Sequence, residues 1–157
     1  LQSDRDTFLI PSFDFSSDFD VDLVRIVVQG NVQDMVHSAL EIELAFQYTE
    51  DDVCDIRAFT NNIANHEGGT HEEGFRVSLT RILNNYGRNS NIFKKDESLT
   101  GDDVREGLTA IVTCKISEPQ FEGQTKGRLG NSEVRSLADS VFSEGFERFL
   151  FENPEEA

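Results

Sequence analysis

The sequence predicts an α+β domain in which a sheet is covered by helices on one side. Residues 40–48 and residues 108–116 each alternate apolar with polar side chains, which predicts two strands. The segments that begin near residues 70 and 132 repeat apolar residues at spacings of three and four, which predicts two helices. A length of 157 residues fits one domain.

Composition and charge exclude several classes of protein. Lys and Arg number 14 against 30 Asp and Glu, a net charge of −16. This balance argues against nucleic-acid binding by the isolated chain, because phosphate affinity depends on Lys and Arg. An apolar content of 37% with 13 Phe is too high for a disordered acidic chain. The apolar runs are only a few residues long, so we expect no membrane span.

The cysteines and the start of the chain bear on its compartment. Cys54 and Cys114 lie in strand-like segments, and we expect two reduced core thiols. The first residues, LQSDRDTFLIPS, lack a charged region followed by an apolar core, so no signal peptide is expected. The chain begins with Leu1 rather than methionine, which suggests a piece of a longer protein. These features favour an intracellular, cytoplasmic protein.

The first 39 residues give the weakest pattern. The segments TFLIP and LVRIVVQ are typical of short strands, and Pro11 bars a central strand position. The overlapping stretch FDVDLVRI fits equally well the start of a helix capped by Asp18 or Asp20. The segment NVQDMVHSA predicts a brief helix.

The clearest strand is LEIELAFQY, which predicts one buried face and one face in water. Its buried face would consist of Leu40, Ile42, Leu44, Phe46 and Tyr48. The next segment, CDIRAFTNNI, alternates again after the turn TEDD. We therefore expect these two segments to pair as an antiparallel hairpin.

A helix is predicted to follow the pair Gly68 and Gly69. Thr70 with Glu73 has the spacing of a capping box, and Gly87 stands where the helix would end. The apolar positions of this helix are Phe75, Leu79, Ile82 and Tyr86.

A short helix, a strand and a long loop are predicted for residues 100–131. Thr100 with Asp103 is expected to cap a short helix that ends at Gly107, and the strand LTAIVTCKI follows. One face of that strand carries Leu108, Ala110, Val112, Cys114 and Ile116. Residues 117–131 form a Gly- and Gln-containing loop that is longer than a passive connector needs.

The last helix is expected to be capped by Ser132 and closed by Pro154. Its predicted apolar stripe consists of Val134, Leu137, Val141, Gly145 and Phe149.

Polar clusters give no complete active site. The Gly-Gly break separates His66 from His71, so we predict a surface or packing role for both and no metal site. Glu41 and Glu43 fit a solvated strand face better than acid–base chemistry, which needs a shielded carboxyl. Neither a GxSxG elbow nor a GxxxxGK[ST] phosphate loop occurs.

Two cations, Lys126 and Arg76, are candidate functional residues. Lys126, between Gly123 and Gly127 on the long loop, is either an ordinary surface lysine or a cation offered to an external anion such as a terminal phosphate. Gln124 would add an uncharged hydrogen bond. Arg76 has Glu72 and Glu73 beside it on the predicted helix, which favours an ordinary surface ion pair.

Residues 59–154 contain, in this order, the stretches FTNNIANHEGGTHEEGFRVSLTRILNNY, TGDDVREGLTAIVTCKISEPQFEGQTKGRLGNSEVR and FENP. These three stretches resemble the DNA gyrase B family. The paralogous topoisomerase IV protein shares these motifs. The match is strong over residues 40–154, whereas residues 1–39 match weakly, through TFLIPSFDFSSDFDVDLVR and GNVQDMV, and are shortened relative to the family.

The resemblance implies that residues 1–157 are one transducer domain of a type IIA topoisomerase. Such a domain has a mixed sheet with a left-handed βαβ crossover, an exception to the usual hand. It couples ATP binding and hydrolysis to closure of a DNA gate and strand passage. ATP with Mg²⁺ is bound mainly by an upstream ATPase domain, and cleavage domains follow downstream. The implied partners are the DNA gyrase A protein, DNA and a second copy of the gyrase B protein.

The resemblance also assigns three residues. Lys126 of the QTK loop would contact the γ-phosphate and stabilise charge during hydrolysis, and Gln124 would sense the same phosphate. Arg76 matches the arginine that faces the DNA cavity between protomers. The fragment alone is expected to be inactive. The alternative is a non-enzymatic acidic module that binds a basic protein. An acidic mimic of nucleic acid is disfavoured because the carboxylates form no regular ladder.

Overall fold

A computed structural model describes residues 26–32 and 40–154. Within these residues the strands are β1 (Ile26–Val32), β2 (Leu40–Tyr48), β3 (Asp55–Thr60), β4 (Ile63–Asn65), β5 (Leu108–Ile116), β6 (Phe121–Glu122) and β7 (Arg128–Leu129). The helices are α1 (Thr70–Asn89), α2 (Gly101–Arg105) and α3 (Ser132–Glu152). The same part of the chain contains no helix long and apolar enough to cross a membrane.

The main sheet is mixed, with the strand order β1-β2-β5-β3-β4 among the described residues. Strands β3 and β5 are parallel, and the other neighbours are antiparallel. Because β4, α1 and α2 lie between β3 and β5 in the chain, the parallel pair is joined by a crossover. The α+β class is confirmed, and the left hand of the crossover stays a prediction.

The predicted hairpin between residues 40–48 and 54–63 is wrong. Strand β2 pairs with β1 and β5, whereas β3 lies on the far side of β5. Val112 of β5 therefore stands between Leu44 of β2 and Ala58 of β3. Alternation along a strand reports which face is buried and carries no information on which strand lies beside it. The hairpin that does form joins β3 to β4.

One face of the sheet packs against α1 and α3 in a single core. Its centre is a set of four phenylalanines, Phe46 of β2, Phe75 of α1, and Phe142 and Phe146 of α3. Ring centroids are 4.9 Å apart for Phe75 and Phe142 and 5.5 Å apart for Phe46 and Phe142. These edge-on contacts add to the burial of large apolar surfaces. The sheet and both long helices thus share one aromatic centre.

The predicted faces of the strands are largely confirmed. Both β2 and β5 have the predicted bounds, and the apolar set expected for β5 is buried. On the opposite face of β2, Glu41 and Glu43 are partly exposed, but Ala45 and Gln47 are buried. The face of β2 predicted to lie in water is therefore wet at only one end.

The apolar stripe of α1 is confirmed, whereas that of α3 is rotated from the prediction. The buried residues of α3 are Val134, Ala138, Val141, Phe142, Phe146 and Leu150. Leu137, Gly145 and Phe149 are only partly buried. The helix carries apolar residues around much of its circumference, so spacing alone did not select the packed side.

Of the three helices in the described residues, only α2 has the predicted N-terminal cap. Thr100 and Asp103 form the predicted capping box of α2. Helix α1 has Gly69 at its N-cap without a side-chain cap, so the box predicted for Thr70 and Glu73 is wrong. Helix α3 has Asn131 rather than Ser132 at its N-cap.

The end of α1 lies close to the prediction. The helix runs through Gly87 to Asn89. A Cβ at Gly87 would overlap the ring of Phe93, so the glycine makes room for a ring instead of ending the helix.

Strand β1 overlaps the predicted strand LVRIVVQ from Ile26 onward. Asn31 and Val32 belong to β1, so the helix predicted for NVQDMVHSA is wrong at its first two residues. The rest of that segment, TFLIP and the alternative caps Asp18 and Asp20 lie outside the described residues.

The two thiols differ from each other. Cys114 is buried in the core as predicted, and burial raises the pKa of its thiol to about 12. Cys54 is exposed and precedes β3, so its prediction as a core thiol is wrong. Both cysteines are free.

Candidate functional site

Residues 117–131, expected to be a loop, form a short ribbon with an exposed tip. Strands β6 and β7 pair antiparallel, with Phe121 opposite Leu129. Leu129 is fully buried and fastens the ribbon to the core. Residues 123–126 form the tip, and all four are exposed. We call residues 121–129 the QTK ribbon.

The QTK ribbon is held by the residues that precede α1, residues 65–69. The side-chain amide of Asn65 donates to the carbonyl oxygen of Lys126 at 2.8 Å. The amide of Glu67 donates to the carbonyl oxygen of Gly127 at 2.9 Å, and the amide of Leu129 donates to that of Gly68 at 3.2 Å. The side of the ribbon after the tip is therefore fixed along the 65–69 segment.

Gly69 is required by this close approach. A Cβ there would lie 2.7 Å from the Leu129 nitrogen and 2.8 Å from its carbonyl oxygen. Both atoms belong to the backbone, so neither can rotate away. At the tip, by contrast, a Cβ on Gly123 would meet nothing within 4 Å, although its φ of 85° favours glycine.

The two cations of the ribbon have different surroundings. Arg128 pairs with Glu73 of α1 and with Glu122 at 3.2 Å, and it donates to the Glu67 carbonyl at 3.0 Å. Lys126 has no ion-pair partner among the residues that the structure describes. Its ammonium lies 5.9 Å from the centroid of the Phe121 ring, an exposed cation–π contact. The charge of Arg128 is therefore paired within the domain, whereas the charge of Lys126 faces solvent.

Gln124 lies at the same exposed tip as Lys126, so the structure brings these two predicted site residues together. An ammonium and a carboxamide at one tip suit an anion with several oxygens. Such an anion would gain further ligands from another domain or molecule, because the side chains of the tip offer only these two groups and the Thr125 hydroxyl.

Arg76, the third predicted site residue, lies on α1. It pairs with Glu72, as the helix spacing predicts, and its side chain is 41% exposed. The Nε of Arg76 is buried without a hydrogen-bond partner. A Cβ on Gly68 would overlap Oε2 of Glu72, so this carboxylate packs against the 65–69 segment. Arg76 is thus partly neutralised.

His71 is the most buried ionisable side chain near the ribbon. It is fully buried in the first turn of α1, and neither ring nitrogen has a hydrogen-bond partner. Burial lowers the pKa of His71 from 6.5 to about 4. The nearby Phe59 backbone, which does not reach hydrogen-bond geometry with the ring, offsets this decrease only in part. The described residues contain no cluster of three or more metal-ligating side chains, and His66 is exposed.

Buried His71 predicts a pH-dependent stability. The folded pKa of about 4 lies below the unfolded value of 6.5, so on acidification the unfolded chain binds the proton first. The contribution of His71 to stability should fall as the pH drops from about 6.5 to about 4 and stay constant below that range. Between pH 7 and pH 5 we expect a loss of about 2 kcal/mol, measured by urea unfolding.

A matched pair of variants isolates this effect. His71→Gln should remove most of the loss between pH 7 and pH 5, whereas His66→Gln, at an exposed position, should retain it. An unchanged pH dependence in His71→Gln would contradict the assignment.

The sequence predicts the exposed tip but not the residues that hold it. Asn65, Glu67 and Arg128 had no visible signal, because the contacts that join the ribbon to residues 65–73 connect positions 55 to 61 residues apart in the chain. The Gly-Gly pair predicts a strand break, and the structure adds a close contact between Gly69 and Leu129 that requires the second glycine.

The chain is similar to DNA gyrase B proteins, both by a family model and by individual relatives. The family model for DNA gyrase B matches residues 15–157. The chain is 60% identical over 116 residues to the DNA gyrase B protein of Bacillus mycoides, covering 73% of this chain and 29% of that protein. It is 57% identical over 117 residues to the DNA gyrase B protein of Halalkalibacterium halodurans, covering 74% and 18%. The chain therefore spans less than a third of either relative.

Two solved structures are similar in fold to this chain. The 43K ATPase domain of Thermus thermophilus gyrase B, in complex with an aminocoumarin, matches with a TM-score of 0.72 at 33% identity, covering 83% of this chain and 34% of that chain. The topoisomerase IV ATP-binding domain of Francisella tularensis matches with a TM-score of 0.66 at 24% identity, covering 82% and 35%, and shows the fold alone.

Proposed function

The chain belongs to the DNA gyrase B family, and on this premise we propose that residues 1–157 are the transducer domain of an ATP-hydrolysing type IIA topoisomerase. In this role the domain couples ATP binding and hydrolysis to closure of a DNA gate and to strand passage. The observation that carries the proposal is the exposed tip of the QTK ribbon, where Lys126 has no ion-pair partner among the described residues. In a chain with a net charge of −16, an unpaired ammonium fits an external anion.

The proposed anion is the γ-phosphate of ATP held by a neighbouring ATPase domain. Lys126 would stabilise the negative charge that develops on the transferred phosphoryl group, and Gln124 would donate a hydrogen bond to the same group. Mg²⁺ and the rest of the nucleotide would be held by that other domain, because the tip supplies no carboxylate. Bound Mg²⁺ would supply charge neutralisation between the phosphates.

The attachment of the ribbon explains how contact at the tip would reach the rest of the domain. The ribbon leaves β5 and enters α3, while its far side rests on residues 65–69, which lead from β4 into α1. Helices α1 and α3 are themselves joined by Arg81, which contacts Asp139 at 2.6 Å. A displacement of the tip would therefore act on both long helices and the sheet together, in the manner of a γ-phosphate switch.

Further features of the family belong to the same proposal. The partners would be the ATPase and cleavage domains of the same polypeptide, the DNA gyrase A protein, a second copy of the gyrase B protein and DNA. Arg76, paired with Glu72, would face the DNA cavity. The acidic surface would then let the DNA segment pass without binding it tightly. The domain alone would hydrolyse no ATP.

A chimaera tests the proposal. The matching segment of the Halalkalibacterium halodurans gyrase B protein would be replaced by that of this chain, and ATP hydrolysis and the change in DNA linking number would be measured in the presence of the gyrase A protein. We expect both activities to persist and to stay coupled. A folded chimaera that binds ATP and neither hydrolyses it nor passes strands would favour the acidic protein-binding module instead.

A further inference from the structure

We infer that Asn65 is a positioning residue that fixes the backbone at Lys126 and thereby the reach of the Lys126 ammonium. The inference rests on the proposed role of Lys126. It starts from the direct contact between the two residues, in which the Asn65 side-chain amide donates to the Lys126 carbonyl oxygen at 2.8 Å.

The side chain of Asn65 has one orientation available. Asn65 ends β4 and is only 4% exposed. A carbonyl oxygen can only accept hydrogen bonds, so the NH₂ group of Asn65 must face Lys126. Its Oδ1 must then face Thr60, whose buried hydroxyl donates to it at 2.7 Å. Thr60, itself fully buried at the end of β3, thus locks the amide that holds Lys126.

Lys126 stands at the boundary between the free and the fixed parts of the ribbon. Residues 123–126 are exposed, and a Cβ on Gly123 would meet nothing within 4 Å. From Gly127 onward the backbone is bonded to Glu67 and Gly68. Lys126 has a φ of 55°, a conformation that residues other than glycine adopt rarely. The Asn65 contact supports this conformation at the residue that carries the charge.

The remaining anchors act on other residues. Leu129 is buried in the core, and Arg128 is held by Glu73. Removal of the Asn65 amide would therefore leave β6 and β7 attached while it releases the peptide at Lys126. This separation makes a positioning role distinguishable from general support of the fold.

The first test compares turnover in the chimaera. Asn65→Ala and Thr60→Val should each lower kcat for ATP hydrolysis by about 10–10²-fold and leave KM for ATP unchanged, because a misplacement of about 1 Å costs about 10²-fold. Thr60→Ser keeps the hydroxyl and should retain the parent kcat. In a background of Lys126→Ala, the change Asn65→Ala should cause no further loss. An equal further loss in that background would overturn the positioning role.

The second test separates this inference from the proposed function. The amide of Glu67 donates to the carbonyl oxygen of Gly127, next to Lys126, and its hydrogen exchange should accelerate in Asn65→Ala, with the exchange of α3 unchanged. If Lys126→Ala alone had no effect on turnover, the proposed function would fail, and faster exchange of the Glu67 amide would still support the positioning of Lys126 by Asn65. Unchanged exchange of the Glu67 amide would overturn the inference whatever the effect of Lys126→Ala.

Discussion

The change Lys126→Ala in the chimaera is expected to lower ATP turnover roughly 10²–10³-fold. The figure is that for loss of one donor that stabilises charge in a transition state. The ammonium at the tip has no carboxylate partner among the described residues, so its loss would leave no ion pair to rearrange. The fold should be unaffected, because the side chain is exposed and its ammonium makes an exposed contact with the Phe121 ring.

The control for this prediction is Lys95→Ala, which makes the same change in net charge at an exposed position away from the ribbon. Its turnover should equal that of the parent chimaera. Single-turnover kinetics would show whether the chemical step has slowed while ATP binding is retained. Turnover by Lys126→Ala within the range of the Lys95→Ala control would rule out a catalytic contact for Lys126.

The change Phe142→Ala is expected to destabilise the chain by about 3–5 kcal/mol, the usual cost of removing a buried aromatic ring. Phe142 is fully buried, and its ring meets Phe46, Phe75 and Phe146. Its loss would open a cavity between the sheet and both long helices. Since a single domain is stabilised by about 5–15 kcal/mol, a large share of the folding free energy depends on this ring.

The same helix offers a matched control. Phe151 is 87% exposed, and Phe151→Ala should change the free energy of unfolding by less than about 0.5 kcal/mol. Urea unfolding followed by far-ultraviolet circular dichroism measures both variants. Equal effects of the two substitutions would show that the aromatic centre does not hold α3 to the sheet.

The aromatic centre and the QTK ribbon are linked through the elements that carry them. The residues that support the tip precede α1, and the ribbon itself joins β5 to α3. All three elements place side chains in the core that contains Phe75 and Phe142. A functional loop on a rigid scaffold is a common arrangement, because catalytic contacts require a well-fixed base. Variants that weaken the core should therefore lower turnover only to the extent that they lower the folded fraction of the protein.

Several features of this protein follow from its sequence alone. The bounds of β2 and β5 follow from alternation, since a strand with one buried face must repeat every second residue. The capping box of α2 follows from Thr100 and Asp103, which are close in the chain. The exposed tip with Lys126 follows from its flanking glycines and polar neighbours. Each of these is a local property, decided by residues a few positions apart.

Tertiary structure alone decided which elements lie side by side. Strand β3 lies beside β5 rather than β2, Asn65 holds the Lys126 carbonyl from 61 residues away, and Glu73 pairs with Arg128 instead of capping α1. The packed side of α3 was likewise chosen by its neighbours. Local patterns report burial where apolar and polar positions alternate clearly, as in β5, and they do not report the partner of a side chain. Partners are selected by the shape and charge of surfaces that meet only when the chain has folded.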